Sequence, residues 1–195
     1  MGTRRIYLIR HGEYDWEDPQ SRGLTSLGLE QAKVTGERMR SLPISAIYSS
    51  DLPRAIQTAE IIRDGIGDVP YRKKRNLREC YLPSPVLDKV PSKLVRQGET
   101  QVAAVFAEHF RPCRGPDRHE IIVSHGNVIR YLVCLVIGRP RSSWLRLRTQ
   151  NCGISEIAIE ADRRMWVVSY NDVGHLPLSL ITYGVPRTAY SSPRG

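Results

Sequence analysis

Apolar positions along the chain follow two rhythms. Short runs rich in β-branched and aromatic residues predict strands at 6–9, 44–48, 120–124, 154–159 and 165–170. The first run stops at Arg10-His11-Gly12-Glu13, and a polar, Pro19-containing loop is predicted over 14–23. Thr25 then reads as the N-cap of a helix reaching about 41, with Leu24 and Leu29 placed as a hydrophobic staple and Pro43 preventing continuation. After the second strand, Asp51 is expected to cap a helix through 62 with Pro53 in its first turn. Residues 71–77 read as a basic edge strand, and 81–98, with Pro83, Pro85 and Pro91, as a long substrate-side loop.

A helix over 100–110 is predicted to face the core with Ala103, Phe106 and Phe110. The segment 128–137 is apolar nearly all round, which predicts a helix buried on most sides and ended by Gly138 and Pro140. The last two strands, joined by the polar turn 161–164, read as a hairpin at the sheet edge, and the tail after Gly184 as loose. Strands alternating with helices predict an α/β fold, in which ligands sit at the C-terminal ends of the strands.

Composition narrows this. At 195 residues, a single domain over 1–195 is expected, and 41% hydrophobic with 25% charged residues is an ordinary globular balance. No stretch is long enough to span a bilayer, and the N-terminus has no apolar leader, so no membrane partner and a cytoplasmic location are expected. The four cysteines form no CxxC pair, which predicts reduced thiols and no zinc site. A net charge of +9 attracts anions, but the run Arg72-Lys73-Lys74-Arg75 has no interleaved aromatics and reads as a solvated face, so no nucleic-acid partner is expected.

The candidate chemistry lies at strand ends. Arg10 and His11 follow the first strand, Arg54 opens the helix after the second, His125 follows the 120–124 strand, and Glu79 closes a fourth candidate. Two guanidiniums, two imidazoles and one carboxylate suit a phosphoryl group that is bound, attacked and released, with no metal or cofactor called for. A glycine-rich nucleotide loop and a Walker lysine are both missing, which argues against ATP chemistry.

Five ordered motifs carry a family resemblance. They are Leu8-Ile9-Arg10-His11-Gly12-Glu13, Leu24-Thr25 with Gly28-x-Glu30-Gln31-Ala32, Ser49-Ser50-Asp51-Leu52-x-Arg54-Ala55-x-Gln57-Thr58-Ala59, Leu77-Arg78-Glu79, and Val123-Ser124-His125-Gly126. Together they resemble the histidine phosphatase superfamily. The stretch from His125 to Cys134, Trp144-Leu145-Arg146-Leu147, and Asn171 to Pro177 are similar to the branch of phosphoglycerate-mutase-like mitochondrial protein Ser/Thr phosphatases. That branch's membrane-spanning leader and assembly segment are not in the sequence, so higher assembly is not expected, and a mitochondrial location is the alternative to a cytoplasmic one if a leader has been removed.

The resemblance implies a three-layer α/β/α sandwich with a mostly parallel mixed sheet. It implies His11 as a nucleophile that becomes phosphohistidine, with its second nitrogen held as a donor to a backbone carbonyl. Arg10, Arg54, His125 and Gly126 would hold the phosphoryl oxygens, and Glu79 would protonate the leaving alkoxide and then activate water. The expected activity is that of a metal-independent phosphomonoesterase acting on phosphoserine or phosphothreonine in proteins. A small-molecule phosphate-ester phosphatase, or a non-catalytic phosphate-binding module, is the alternative, and a homodimer is possible.

The mutase reading is weaker, because only 25 positions separate Arg54 from Glu79, leaving little room for an extended cap. Tyr14-Asp15-Trp16-Glu17 also departs from the Ser/Thr-x-x-Asn usual in mutases. His109 and His119 read as surface residues, His175 as structural or at a rim, Trp144 as core or rim, and Cys80 as an inert thiol.

Overall fold

In a strand buried on both faces, successive side chains enter opposite layers. In the first strand, β1 (Arg4–Arg10), Ile6 and Leu8 join one core cluster while Tyr7 and Ile9 join another. β4 (Arg118–Ser124) does the same, sending Ile122 to the first cluster and Ile121 and Val123 to the second. Helices α3 (Ser92–His109) and α4 (Gly126–Val136) cover the first face through Val102, Val105, Ile129 and Leu132. Helices α1 (Ser26–Met39) and α2 (Pro53–Ile66) cover the second through Met39, Ala55, Ala59 and Ile62. The result is the expected three-layer α/β/α sandwich. This computed structural model describes residues 2–15, 22–84, 90–139 and 141–183.

The six-stranded sheet has the order β3-β2-β4-β1-β5-β6, where β2 is Ile44–Ser50, β3 Tyr71–Lys74, β5 Ile154–Ile159 and β6 Met165–Asp172. β3, β2, β4 and β1 run parallel, β5 is antiparallel to β1, and β6 to β5, so the sheet is mixed and mostly parallel. The basic strand lies at one edge and the 154–172 hairpin at the other, as the pattern predicts.

Several local expectations change. Thr25 does cap α1, accepting from the Gly28 N–H at 3.1 Å, but Leu29 stays 39% exposed, so the apolar staple does not close over it. Asp51 does not cap α2. Its carboxylate takes both Nε and Nη2 of Arg78, at 2.5 and 2.9 Å, and this bidentate pair outcompetes a neutral N–H donor. β3 ends at Lys74, and Arg75–Leu77 forms a 3-10 turn instead of more strand.

α3 starts at Ser92, inside the predicted loop, of which 85–89 lie outside the described residues. Its buried stripe is Gly98, Val102, Val105 and His109, while Ala103 is exposed. A stripe containing glycine and histidine has little apolar signal, which is why periodicity missed its first two turns. His109 is accordingly buried at 3% exposure, edge-on to Tyr48 with ring centroids 4.6 Å apart, not on the surface. Trp144 is core, donating Nε1–H to the Pro83 carbonyl at 2.8 Å. His175 holds Thr35 Oγ1 at 3.0 Å, a structural contact, and His119 is half-buried beside the Tyr7 hydroxyl. Most of the 14–23 loop (16–21) and the tail from 184 lie outside the described residues.

Candidate active site

Three neighbouring parallel strands end at one edge of the sheet, and each delivers a polar group there. β1 and β4 pair from Arg4 with Arg118 to Arg10 with Ser124, and the His11 N–H continues the ladder to the Ser124 carbonyl at 3.0 Å. His11 and His125 are thereby side by side, with ring centroids 5.0 Å apart. β2, on the far side of β4, leads through Pro53 into α2, whose first turn carries Arg54. His11, Arg54 and His125 are all buried.

The hydrogen bonds assign the protons. A carbonyl only accepts and a guanidinium only donates. His11 Nδ1 lies 2.7 Å from the Gly12 carbonyl and must carry hydrogen, whereas Nε2 accepts from Arg54 Nε at 3.1 Å and must hold its lone pair. His125 Nδ1 accepts from Arg54 Nη2 at 3.2 Å, which puts the proton of neutral His125 on Nε2. That buried N–H has no partner among the described residues, so it is a donor available to a ligand oxygen. Burial is the first cause holding both imidazoles well below their ordinary pKa. Repulsion from His125, Arg10 and Arg54 adds to it at His11, and from Arg54 and Arg10 at His125.

Arg10 reaches the same place from the end of β1, donating Nη1–H to the Thr149 carbonyl at 2.6 Å. Its guanidinium packs over the start of α4, where Gly126 leaves room between Arg10 and Thr149. A Cβ there would come within 3.2 Å of Thr149 Oγ1 and 3.7 Å of Arg10 Cζ. The N-terminus of α4 adds partial positive charge beside His125.

Glu79 follows the 3-10 turn, which is tied to the His125 strand by Ser124 Oγ donating to the Leu77 carbonyl at 2.8 Å. The Glu79 side chain keeps contact with solvent, yet protein surrounds it on most sides. The resulting loss of hydration raises its pKa, against the lowering effects of the Asn127 N–H, 3.4 Å from Oε2, and of Arg10, Arg130 and Arg54. A shift in this direction favours the protonated carboxyl. Next to it, burial pushes the Cys80 thiol up to about 12, away from the reactive thiolate form.

All six predicted site residues, Arg10, His11, Arg54, Glu79, His125 and Gly126, therefore converge. Sequence reasoning missed the groups that hold them. The His11–Gly12 peptide is fixed at both ends, its N–H by Thr58 Oγ1 at 3.0 Å and its carbonyl by Asn151 Nδ2 at 2.9 Å. The next peptide gives its carbonyl to His11 Nδ1 and its N–H to Gln31 Oε1 at 2.8 Å. Gly12 and Gly28 let this loop press on α1, because a Cβ on Gly12 would come 2.6 Å from the Gly28 carbonyl oxygen.

Tyr14 covers the remaining side, 4.4 Å under the Arg54 guanidinium and edge-on to His11. Thr58 stands one helical turn after Arg54, a spacing that points to the same face. Tyr14 and Asn151 had no such signal, since their contacts are made by loops meeting in space, and Gln31, although within a quoted motif, reaches the loop from α1 only in the folded chain.

Comparison with known proteins agrees with this geometry. The model of the histidine phosphatase superfamily (branch 1) matches residues 6–84 and 95–173. Over 207 residues the chain is 34% identical to the protein named serine/threonine-protein phosphatase Pgam5, mitochondrial, from Drosophila grimshawi, covering 96% of this chain and 69% of that one. The protein of the same name from Caenorhabditis briggsae is 33% identical over 191 residues, covering 93% and 67%.

Among solved structures, a phosphoglycerate mutase from Plasmodium falciparum superposes with a TM-score of 0.67 at 28% identity, covering 94% of this chain and 99% of that one. Bacillus stearothermophilus YhfR superposes with a TM-score of 0.71 at 23% identity, covering 88% and 98%, a likeness of fold. The chain therefore belongs to the histidine phosphatase superfamily, branch 1, and its enzyme class is phosphatase.

Proposed function

We propose that the protein hydrolyses phosphoserine and phosphothreonine esters in proteins through a phosphohistidine at His11. The observation that carries this reading is the setting of His11, neutral, with Nδ1–H on the Gly12 carbonyl and the Nε2 lone pair facing Arg54. An incoming phosphoryl oxygen takes over the Arg54 N–H, which frees the lone pair for in-line attack on phosphorus. Arg10, Arg54 and the His125 Nε2–H hold the equatorial oxygens, so negative charge on the transition state meets donors already in place. As the P–O ester bond breaks, the alkoxide takes the Glu79 proton. The carboxylate then removes a proton from water, whose oxygen attacks phosphorus and breaks the P–N bond, releasing inorganic phosphate and regenerating neutral His11.

The charge in this scheme is neutralised by guanidiniums, so the reading calls for no metal. The test is hydrolysis of p-nitrophenyl phosphate in EDTA, with acid-labile phosphate trapped on the protein during turnover. His11→Ala should abolish both signals. Unchanged hydrolysis by His11→Ala, or loss in EDTA restored by a divalent cation, would overturn the scheme.

The curated relatives' names favour a phosphoprotein over a small ester, and a kcat/KM comparison of phosphopeptides with phosphorylated metabolites decides between them. The same names favour the mitochondrion over the cytoplasm. No helix among the described residues is long and apolar enough to cross a membrane. Fractionation of cells expressing the protein tests the location.

A further inference from the structure

Lys93, Arg96, Gln97 and Gln101 recur at three- and four-residue intervals, so they share one face of α3. This polar face stands opposite the 3-10 turn at Arg75–Leu77 across an open groove of about 640 Å³. Arg75, Lys93 and Arg96 line it with the amides of Asn76, Gln97 and Gln101, and among the described residues no carboxylate does.

The pairing of nearby cations makes these three stand out. Lys73 pairs with Glu60, Lys74 with Glu108 and Arg78 with Asp51. Arg75, Lys93 and Arg96 are exposed and form no ion pair with any described residue. The groove also adjoins the peptide that carries the proposed acid. Gln101 Nε2 donates to the Arg78 carbonyl at 2.7 Å, immediately before Glu79, and Arg75 and Asn76 lie just upstream.

We propose that this groove docks an acidic segment of the phosphoprotein substrate, flanking the phosphorylated residue. The proposal rests on the phosphoprotein reading above. Three exposed cations that form no ion pair among the described residues complement Asp, Glu or a second phosphate, and side-chain amides can both donate to and accept from an extended peptide backbone. None of the described lining residues is aromatic, so they offer no platform on which a base could stack, and single-stranded nucleic acid relies on such platforms. It is concave and carries no large apolar side chain, unlike a membrane-inserting face.

The test pairs two phosphoserine peptides, identical except that one has Asp and Glu flanking the phosphoserine and the other Ala and Ser. The intact enzyme should favour the acidic peptide in kcat/KM by about tenfold, equivalent to about 1.4 kcal/mol, and the preference should shrink in 1 M salt, where charges are screened beyond about 3 Å. The triple variant Arg75→Ala/Lys93→Ala/Arg96→Ala should lose the preference through KM while keeping kcat, melting temperature and p-nitrophenyl phosphate hydrolysis.

Anisotropy of the labelled acidic peptide on His11→Ala protein, with and without the triple substitution, reads the docking without turnover. Equal kcat/KM for the two peptides, or a preference that survives the triple variant, overturns the proposal while ordinary p-nitrophenyl phosphate turnover leaves the phosphatase reading standing. Absence of that turnover counts against the catalytic scheme instead. A triple variant that loses binding to an RNA oligonucleotide or to phosphatidylserine vesicles, with peptide preference unchanged, assigns the groove to that partner and likewise overturns the proposal.

Discussion

Replacing Thr58 with Val tests whether the held loop around His11 matters. Thr58 is fully buried, and its Oγ1 accepts from the Gly12 N–H while donating to the Arg54 carbonyl one turn back. Valine keeps the shape and stiffness of threonine but cannot accept a hydrogen bond, which leaves the Gly12 N–H unpaired in the interior. An orphaned buried N–H costs about 1–3 kcal/mol, and the added methyl returns at most about 0.8 kcal/mol. The net loss of roughly 1–2 kcal/mol, at about 2–4 °C per kcal/mol for a chain of this length, lowers the melting temperature by roughly 2–8 °C.

The catalytic effect is larger in proportion, because the freed peptide is the one between His11 and Gly12. A misplacement near 1 Å can cost about 10²-fold in rate, so kcat should drop by roughly ten- to a hundredfold, with KM changing less because Arg10 and His125 still hold phosphate. Calorimetry and p-nitrophenyl phosphate kinetics on Thr58→Val and Thr58→Ser decide the matter. Serine keeps the hydroxyl and should behave close to the original protein. Valine at full kcat and unchanged melting temperature, or serine as impaired as valine, refutes the reasoning.

Other expectations follow from the same geometry. Glu79→Gln should slow alkyl phosphates by ~10²–10⁴ and p-nitrophenyl phosphate far less, since p-nitrophenolate leaves without a proton; equal losses remove Glu79 from the acid role. Tyr14→Ala should reduce kcat/KM by about three- to thirtyfold through loss of a desolvated cation–π contact of about 0.5–2 kcal/mol, with Tyr14→Phe near normal. Burial holds His11 and His125 well below their ordinary pKa and His109 at about 4, so the unfolded chain binds more protons than the folded one below its own histidine pKa. Stability is therefore full above about pH 6.5 and falls as pH drops toward 4, with His109 alone contributing roughly 3 kcal/mol to the total loss. Chemical denaturation between pH 4 and 7.5 should show this, and a flat profile would contradict the buried neutral state of these imidazoles.

Local chemistry and tertiary context contributed differently to what could be known. The buried strands at 6–9 and 120–124, the Thr25 cap, the apolar fourth helix and the terminal hairpin all follow from nearest-neighbour patterns, because burial of both sheet faces and helix capping act within a few residues. The same holds for the polar residues at strand ends, which made Arg10, His11, Arg54, Glu79 and His125 legible as a set. What no pattern encodes is adjacency. That β4 lies between β1 and β2 follows from parallel crossovers spanning most of the chain, and it alone puts His125 against both His11 and Arg54.

Competition between partners distant in sequence is equally invisible. Asp51 is a plausible cap until Arg78 arrives with two donors, and His109 reads as surface until α3 turns it inward against Tyr48. The proton positions on His11 also belong to the folded state. The sequence placed an imidazole and cations at the strand ends. Only the tertiary structure, by bringing the Gly12 carbonyl to Nδ1 and the Arg54 guanidinium to Nε2, decided which nitrogen holds the lone pair, because a hydrogen bond depends on position and angle and not on composition.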